Sequence, residues 1–255
     1  QCNCPDCVKL FGSEVTSFEA VRARGNSGKL WEAYFRITER FRTTHPEVRF
    51  VVLNYQDTPI SAEILGRFPE NVIPDIQFAS QRDFDRLAGV EFPAGISGFE
   101  ESFTGFGQAG PYIAERTPEH MAQVVRTLQR NKVKWTHRDG LMGYVRGIQA
   151  PAYYVYGRMM DDPAADWRAL QEEFCEAPFG PAAKTMGSFF DLLHGQMAVY
   201  SDFFGVFMPA WDRKYSRSRH HDSKWHLMGI YTPELCAEME SLLKRAEADA
   251  RDADV

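Results

Sequence analysis

The run Val48-Arg49-Phe50-Val51-Val52-Leu53-Asn54-Tyr55 decides the fold class of this 255-residue chain. Its centre is apolar and β-branched, which marks a short strand buried on both faces. Strands of that kind belong to parallel sheets, where each crossover needs a helix. The flanks supply candidates. Upstream, residues 28–44 carry Leu30, Trp31, Tyr34, Ile37, Thr38 and Phe41 at three-to-four spacing, an amphipathic helix that His45-Pro46 ends. Downstream, residues 60–67 suggest a short helix, and Val72-Ile73-Pro74-Asp75-Ile76-Gln77-Phe78 reads as a second strand, weakened by Pro74.

The alternation continues. Gly95-Ile96-Ser97-Gly98-Phe99-Glu100 is a third strand, followed by a long loop with Gly105, Gly107 and Gly110. Thr117-Pro118-Glu119 opens a helix, with Thr as cap and Pro in the first turn, and Met121, Val124, Val125 and Leu128 form its apolar stripe. Lys132-Val133-Lys134-Trp135-Thr136 is a fourth strand, ending in the polar turn His137-Arg138-Asp139-Gly140. Helix, strand, helix, strand over residues 28–140 predicts parallel β/α units, and four such units are half of an eight-stranded barrel.

From about residue 150 the pattern is helical only. Tyr153, Tyr154, Tyr156 and Met159 begin one helix; Trp167, Leu170 and Phe174 lie on the next; Phe189, Phe190, Leu192 and Leu193 on another. Thr232-Pro233-Glu234 caps the last, which runs through Leu235, Met239, Leu242 and Leu243. The expected fold is therefore α/β: a partial (β/α)8 TIM-like barrel over residues 1–149, then an all-helical region over 150–255.

Composition bounds the function. A formal charge of −6 gives no electrostatic reason to bind nucleic acid or an anionic membrane. No apolar run approaches the roughly 18 residues of a membrane span. Aromatic residues make up 13%, a surplus that suits sites where rings stack on apolar ligand faces. Five cysteines cannot all pair within the chain. Cys175 and Cys236 sit on helical patterns and are expected as small buried hydrophobes. Cys2-Asn3-Cys4-Pro5-Asp6-Cys7 admits three readings: zinc ligands, one disulfide with a spare thiol, or a loop of reduced cysteines. No second Cys pair or His pair follows at finger spacing, so no metal and no cofactor are expected. His220, His221 and His226 with Asp222 lie in a very polar stretch that reads as a solvated loop. Gly105-Phe106-Gly107 lacks the third glycine of a dinucleotide fingerprint.

In a β/α barrel, chemistry gathers where strands end. Those positions here are Tyr55 and Asp57 after the first strand, Gln77 at the second, Glu100 and Glu101 at the third, and His137 and Asp139 at the fourth, with Trp135 nearby. Carboxylates, an imidazole and rings at successive strand ends make a polar pocket with stacking faces, as carbohydrate recognition and glycosidic cleavage require. Glu100, Glu101 and Asp57 are the catalytic candidates; Tyr55, Gln77, Trp135, His137 and Asp139 are the substrate-binding candidates. Glu100 and Glu101 are adjacent, so alternation turns only one of them inward.

Several stretches carry a family resemblance: Gly147-Ile148-Gln149-Ala150-Pro151-Ala152-Tyr153-Tyr154-Val155, Asp161-Asp162-Pro163, Glu173-Phe174-Cys175, and Phe179-Gly180-Pro181-Ala182-Ala183, with the N-terminal cysteine cluster. Together they resemble a bacterial family known only as a domain of unknown function, common in polysaccharide-degrading bacteria, whose members look like glycoside hydrolases. The barrel is similar to those of α-glucuronidases and β-hexosaminidases. The resemblance covers Cys2 to about Leu193. It implies that the cysteine cluster follows a fourth barrel strand, which makes the strands here the last four. The missing N-terminal half of the same barrel then becomes a partner, alongside a carbohydrate substrate. Polysaccharide degradation fits a secreted or periplasmic protein. Two other readings stay open: a non-catalytic carbohydrate-binding protein on a barrel scaffold, and a structural module whose cysteine-rich loop holds zinc.

Overall fold

A computed structural model of the chain describes residues 27–54, 67–77, 81–100, 117–138, 146–207 and 231–251, besides the isolated Pro5. Residues 60–66 of the expected helix, the cysteines of the N-terminal cluster, the glycine loop and the histidine loop lie outside the described residues. The chain divides into two compact units, Gln1–Glu100 with Arg130–Arg138, and Glu101–Gln129 with Asp139–Val255.

The first unit is built on helix α1 (Ser27–Thr44) and strands β1 (Phe50–Asn54), β2 (Val72–Gln77), β3 (Ser97–Glu100) and β4 (Trp135–Arg138), with a short α2 (Gln81–Arg86). The strands form one sheet in the order β1-β2-β3-β4, and every pairing is parallel. The α/β class and the four parallel strands agree with the sequence pattern. Pro74 does not break β2, which pairs on both sides; one ladder donor is lost there and the neighbouring residues hold the strand.

An aromatic cluster fixes α1 to the sheet. Trp31 and Phe35 meet Phe68 at centroid distances of 5.2 and 5.3 Å, with Val72 buried among them and Val52 packed alongside. Asn71 Nδ2 donates to the Thr38 carbonyl at 2.9 Å, tying the entry of β2 to the helix. The inner face of α1 is thus 31, 35 and 38. Ile37, expected within the stripe, is 53% exposed because it sits about 100° around the helix from Thr38. Phe41 stays partly exposed at the helix end, where it meets Phe50.

Three strands begin later than expected, β1 at Phe50 instead of Val48. β3 begins at Ser97, because Gly95 is still in a turn, at φ +88° with its N–H on the Phe92 carbonyl. A Cβ at Gly95 would approach the Lys134 and Trp135 side chains to 3.1 Å. β4 begins three residues later than expected, since Lys132, at φ 56°, still turns the chain after the preceding helix. His137 and Arg138 therefore belong to the strand and not to a turn.

The second unit is helical among the described residues. α3 (Pro118–Arg130, its last residue grouped with the first unit), α4 (Arg146–Asp161), α5 (Trp167–Phe179), a short 3-10 turn, α6 (Ala183–Phe207) and α7 (Pro233–Arg251) follow in order. Both predicted Thr caps form: Thr117 Oγ1 accepts from the His120 N–H at 3.1 Å, and Thr232 Oγ1 from the Leu235 N–H at 3.2 Å. α4 starts at Arg146 and runs through Pro151 at the cost of one hydrogen bond, several residues before the tyrosines that signalled it. One cluster joins Ala122 and Val125 of α3 to Val155 and Met159 of α4 and Leu170 of α5. A second gathers Cys175, Phe189, Phe190 and Leu193, with Met239 and Leu242 of α7 against it. α3 thus packs with the helices, although the alternating sequence pattern grouped it with the strands and set a division at 149/150.

Cys175 is buried as expected, and burial pushes its thiol up to about 11. Cys236 is exposed, contrary to expectation. It lies one residue off the inner stripe of α7, which runs through Leu235, Met239, Leu242 and Ala246; Leu243 is likewise 44% exposed.

Candidate functional site

Parallel strands share one C-terminal edge, and here it consists of Asn54, Gln77, Glu100 and Arg138, with His137 one residue before the end. The register makes Gln77 the partner of Phe99, Phe99 the partner of His137, and Glu100 the partner of Arg138. Three candidates, Gln77, Glu100 and His137, are thus brought to one edge. Tyr55, Asp57, Glu101 and Asp139 lie outside the described residues. Trp135 differs: it is the first residue of β4, two positions back from His137, and it is 45% exposed beside Lys134, whose ammonium stands 5.8 Å from its ring.

Alternation divides the strands into two faces. Val52 and Val72 pack with Trp31 and Phe35, so their parity is the side of α1. Ile76, Gly98 and Thr136 share that parity through the ladder, as does the register position of Glu100. The Thr136 hydroxyl donates to the Gly98 carbonyl at 2.7 Å. The opposite parity holds Leu53, Ile73, Asp75, Ser97 and Trp135, and the register positions of Gln77, Phe99 and His137.

Sequence reasoning passed over Asp75 and Ser97. They are register partners, 0% and 2% exposed. The signal was present, because Asp75 interrupts the apolar run Val72-Ile73-Pro74-Asp75-Ile76. A carboxylate there loses its water, a cost that ordinary strand packing does not ask for.

The second unit also holds buried polar groups. Gln171 Nε2 donates to Asp191 Oδ1 at 2.7 Å, joining α5 to α6. His194 of α6 lies stacked on Phe190, 5.7 Å between centroids, with neither ring nitrogen in a well-formed hydrogen bond. Burial pushes its imidazole down to about 4, against a smaller upward pull from the Ile148 backbone and the Asp191 carboxylate. It is neutral near pH 7. On the surface, the Tyr154 hydroxyl donates to Glu173 at 2.7 Å and Arg158 donates to both, and these bonds hold the Glu173 carboxyl below its usual range. Among the described residues, no three His, Cys, Asp or Glu side chains gather to hold a metal ion, and no helix is long and apolar enough to cross a membrane.

No protein-family model matches the chain, and neither the curated proteins nor the solved structures compared with it gave a match.

Proposed function

We propose that this chain is part of a glycoside-hydrolase-like β/α barrel acting on a polysaccharide or oligosaccharide by carboxylate acid–base chemistry. One observation carries the reading: four parallel strands lie side by side in chain order, the arrangement of consecutive barrel strands. Gln77, Glu100 and His137, residue types that such a pocket uses, stand at or next to the common C-terminal edge of the sheet. Closing an eight-stranded barrel calls for about four further β/α units, the N-terminal half expected from the resemblance. Glu100, Glu101 and Asp57 are the acid–base candidates, with Tyr55, Asp139 and Trp135 assisting in binding. Glycan turnover by the protein and by the variants Glu100→Gln, Glu101→Gln and Asp57→Asn tests the reading. Loss of the working acid or base lowers the rate about 10²- to 10⁴-fold. Near wild-type turnover in all three variants removes these residues from the mechanism.

A second reading is favoured by the register. Glu100 has the parity of the side packed on α1, which suits carbohydrate binding without catalysis by that residue. Sugar binding without turnover, unchanged in Glu101→Gln and Asp57→Asn, selects it.

A further inference from the structure

We infer that Trp135 and Lys134, held against the Gly95 turn at the N-terminal end of β4, form a surface site for an acidic sugar, one whose ring carries a carboxylate or a sulfate. The inference rests on the carbohydrate reading above for the kind of ligand. It adds a second binding place, at the opposite end of β4 from Arg138 and its register partner Glu100. Three observations lead to it. First, Trp135 is 45% exposed although it stands in a parallel sheet, where side chains are ordinarily buried. Its register partner Ser97 is 2% exposed, so the exposure belongs to the indole and not to the strand pair as a whole. Second, the two side chains are held in place. Gly95 is at φ +88°, and a Cβ there would meet Lys134 Cδ and Trp135 Cζ3 at 3.1 Å each. The bare glycine lets the lysine stem and the edge of the indole lie against one turn. The Lys134 N–H donates to the Ile96 carbonyl at 3.1 Å, which ties the segment to that turn. Third, Arg130, Lys132 and Lys134 are exposed and fall within five residues with no carboxylate among them, in a chain of net charge −6. Among the described residues, neither lysine forms an ion pair.

That combination has a defined chemistry. An indole packs on the apolar C–H side of a pyranose, whichever sugar supplies it. An ammonium beside it selects a ring that carries an anion, through a charge-assisted hydrogen bond. At 5.8 Å from the centroid the ammonium is near the outer limit of attraction by the ring, so its own tryptophan does not occupy it. Nucleic acid also combines flat rings with anions, but it calls for cations tracking a backbone and is repelled by the overall charge. A short basic run beside one indole suits a single charged sugar. Trp135 lies three residues before Arg138, about 10 Å along the strand at about 3.3 Å per residue. A polymer held there is kept at high local concentration near the strand ends without entering them.

The test is calorimetric titration of oligogalacturonates and sulfated carrageenan oligosaccharides into the protein and three variants, with far-UV circular dichroism to check folding. Cello-oligosaccharides serve as neutral counterparts and a single-stranded oligodeoxythymidylate as the nucleic acid. The wild type is expected to bind the acidic sugars more tightly than the neutral ones. Trp135→Ala should weaken that binding about 10-fold, the worth of one stacked ring. Lys134→Gln should weaken it about three- to fivefold, the worth of an exposed ion pair, and leave neutral sugars unaffected. Salt at about 0.5 M should erase the same margin in the wild type. Ile37→Ser, at an exposed position on α1, should stay within about twofold of the wild type. Undiminished binding of acidic sugars by either folded variant, Trp135→Ala or Lys134→Gln, overturns the paired site. Equal affinity for acidic and neutral sugars overturns the choice of an acidic ligand, and tighter binding of the oligonucleotide overturns the choice of a sugar. If Trp135→Ala fails to fold, Lys134→Gln still decides. A wild type that binds only neutral sugars overturns this inference alone; one that binds no sugar of either kind overturns the carbohydrate reading with it.

Discussion

The two units bury polar groups in different ways. In the helical unit, the buried Gln171 clips α5 to Asp191 of α6 and the part-buried Thr185 hydroxyl meets Asp249 at 2.5 Å across α6 and α7, while the buried His194 stacks on Phe190. In the sheet unit, Asn71 does the same for α1, but Asp75 and Ser97 sit within strands, on the face that α1 leaves alone. A polar clip between helices accounts for itself by the packing it directs.

The contrast can be broken at the cores first. Trp31 is wholly buried at the centre of the aromatic cluster. Trp31→Ala is expected to cost about 3–5 kcal/mol, as large aromatic truncations do. Chemical denaturation followed by hydrogen exchange checks it: protection should fall in β1 and β2, and an equal fall confined to the helical unit contradicts the division.

The next effect belongs to the helical unit and depends on pH. His194 titrates at about 4 when folded and at 6.5 in the unfolded chain, so the unfolded state binds the extra proton between those values. Stability is therefore full above pH 6.5 and is lost as pH falls toward 4, by about 3 kcal/mol at roughly 1.4 kcal/mol per unit. Denaturant melts at pH 7 and pH 4.5 should show the loss, and His194→Phe should remove much of it. An unchanged pH dependence in that variant shows that other groups are responsible.

Smaller effects sharpen the comparison. Thr117→Ala removes the cap of α3 and is expected to cost about 1 kcal/mol. Thr117→Ser, which keeps the hydroxyl, should recover most of it in the same melts. Glu173→Gln disrupts the surface cluster with Tyr154 and Arg158, and such exposed pairs contribute about 0–1 kcal/mol. A loss well above that range would mean that the cluster bears on the packing of α4 against α5.

Strand and helix identity were legible because they depend on local pattern. The run at 50–54, the Thr caps at 117 and 232, and the helical spacing after 150 each carry their own signal. What escaped was settled by neighbours distant in sequence. Whether Ile37 or Phe35 faces inward depends on where Phe68 arrives. Whether α3 packs with strands or helices depends on Val155, Met159 and Leu170. The site was legible as a set of strand ends and not as a face, because parity needs the register. Glu100 draws attention as a carboxylate at a strand end, whereas Asp75, hidden in an apolar run, reads like part of the core until the ladder places it.

The ladder also says how this sheet can change over evolutionary time. A strand has a period of two, so one residue inserted or deleted within β2 exchanges its two faces. Asp75 would then turn toward Trp31 and Phe35, and an apolar neighbour would take its place. Substitutions at 72–77 can be explored one side chain at a time, but length changes there cannot, and any drift in length must be absorbed in the connections between strands.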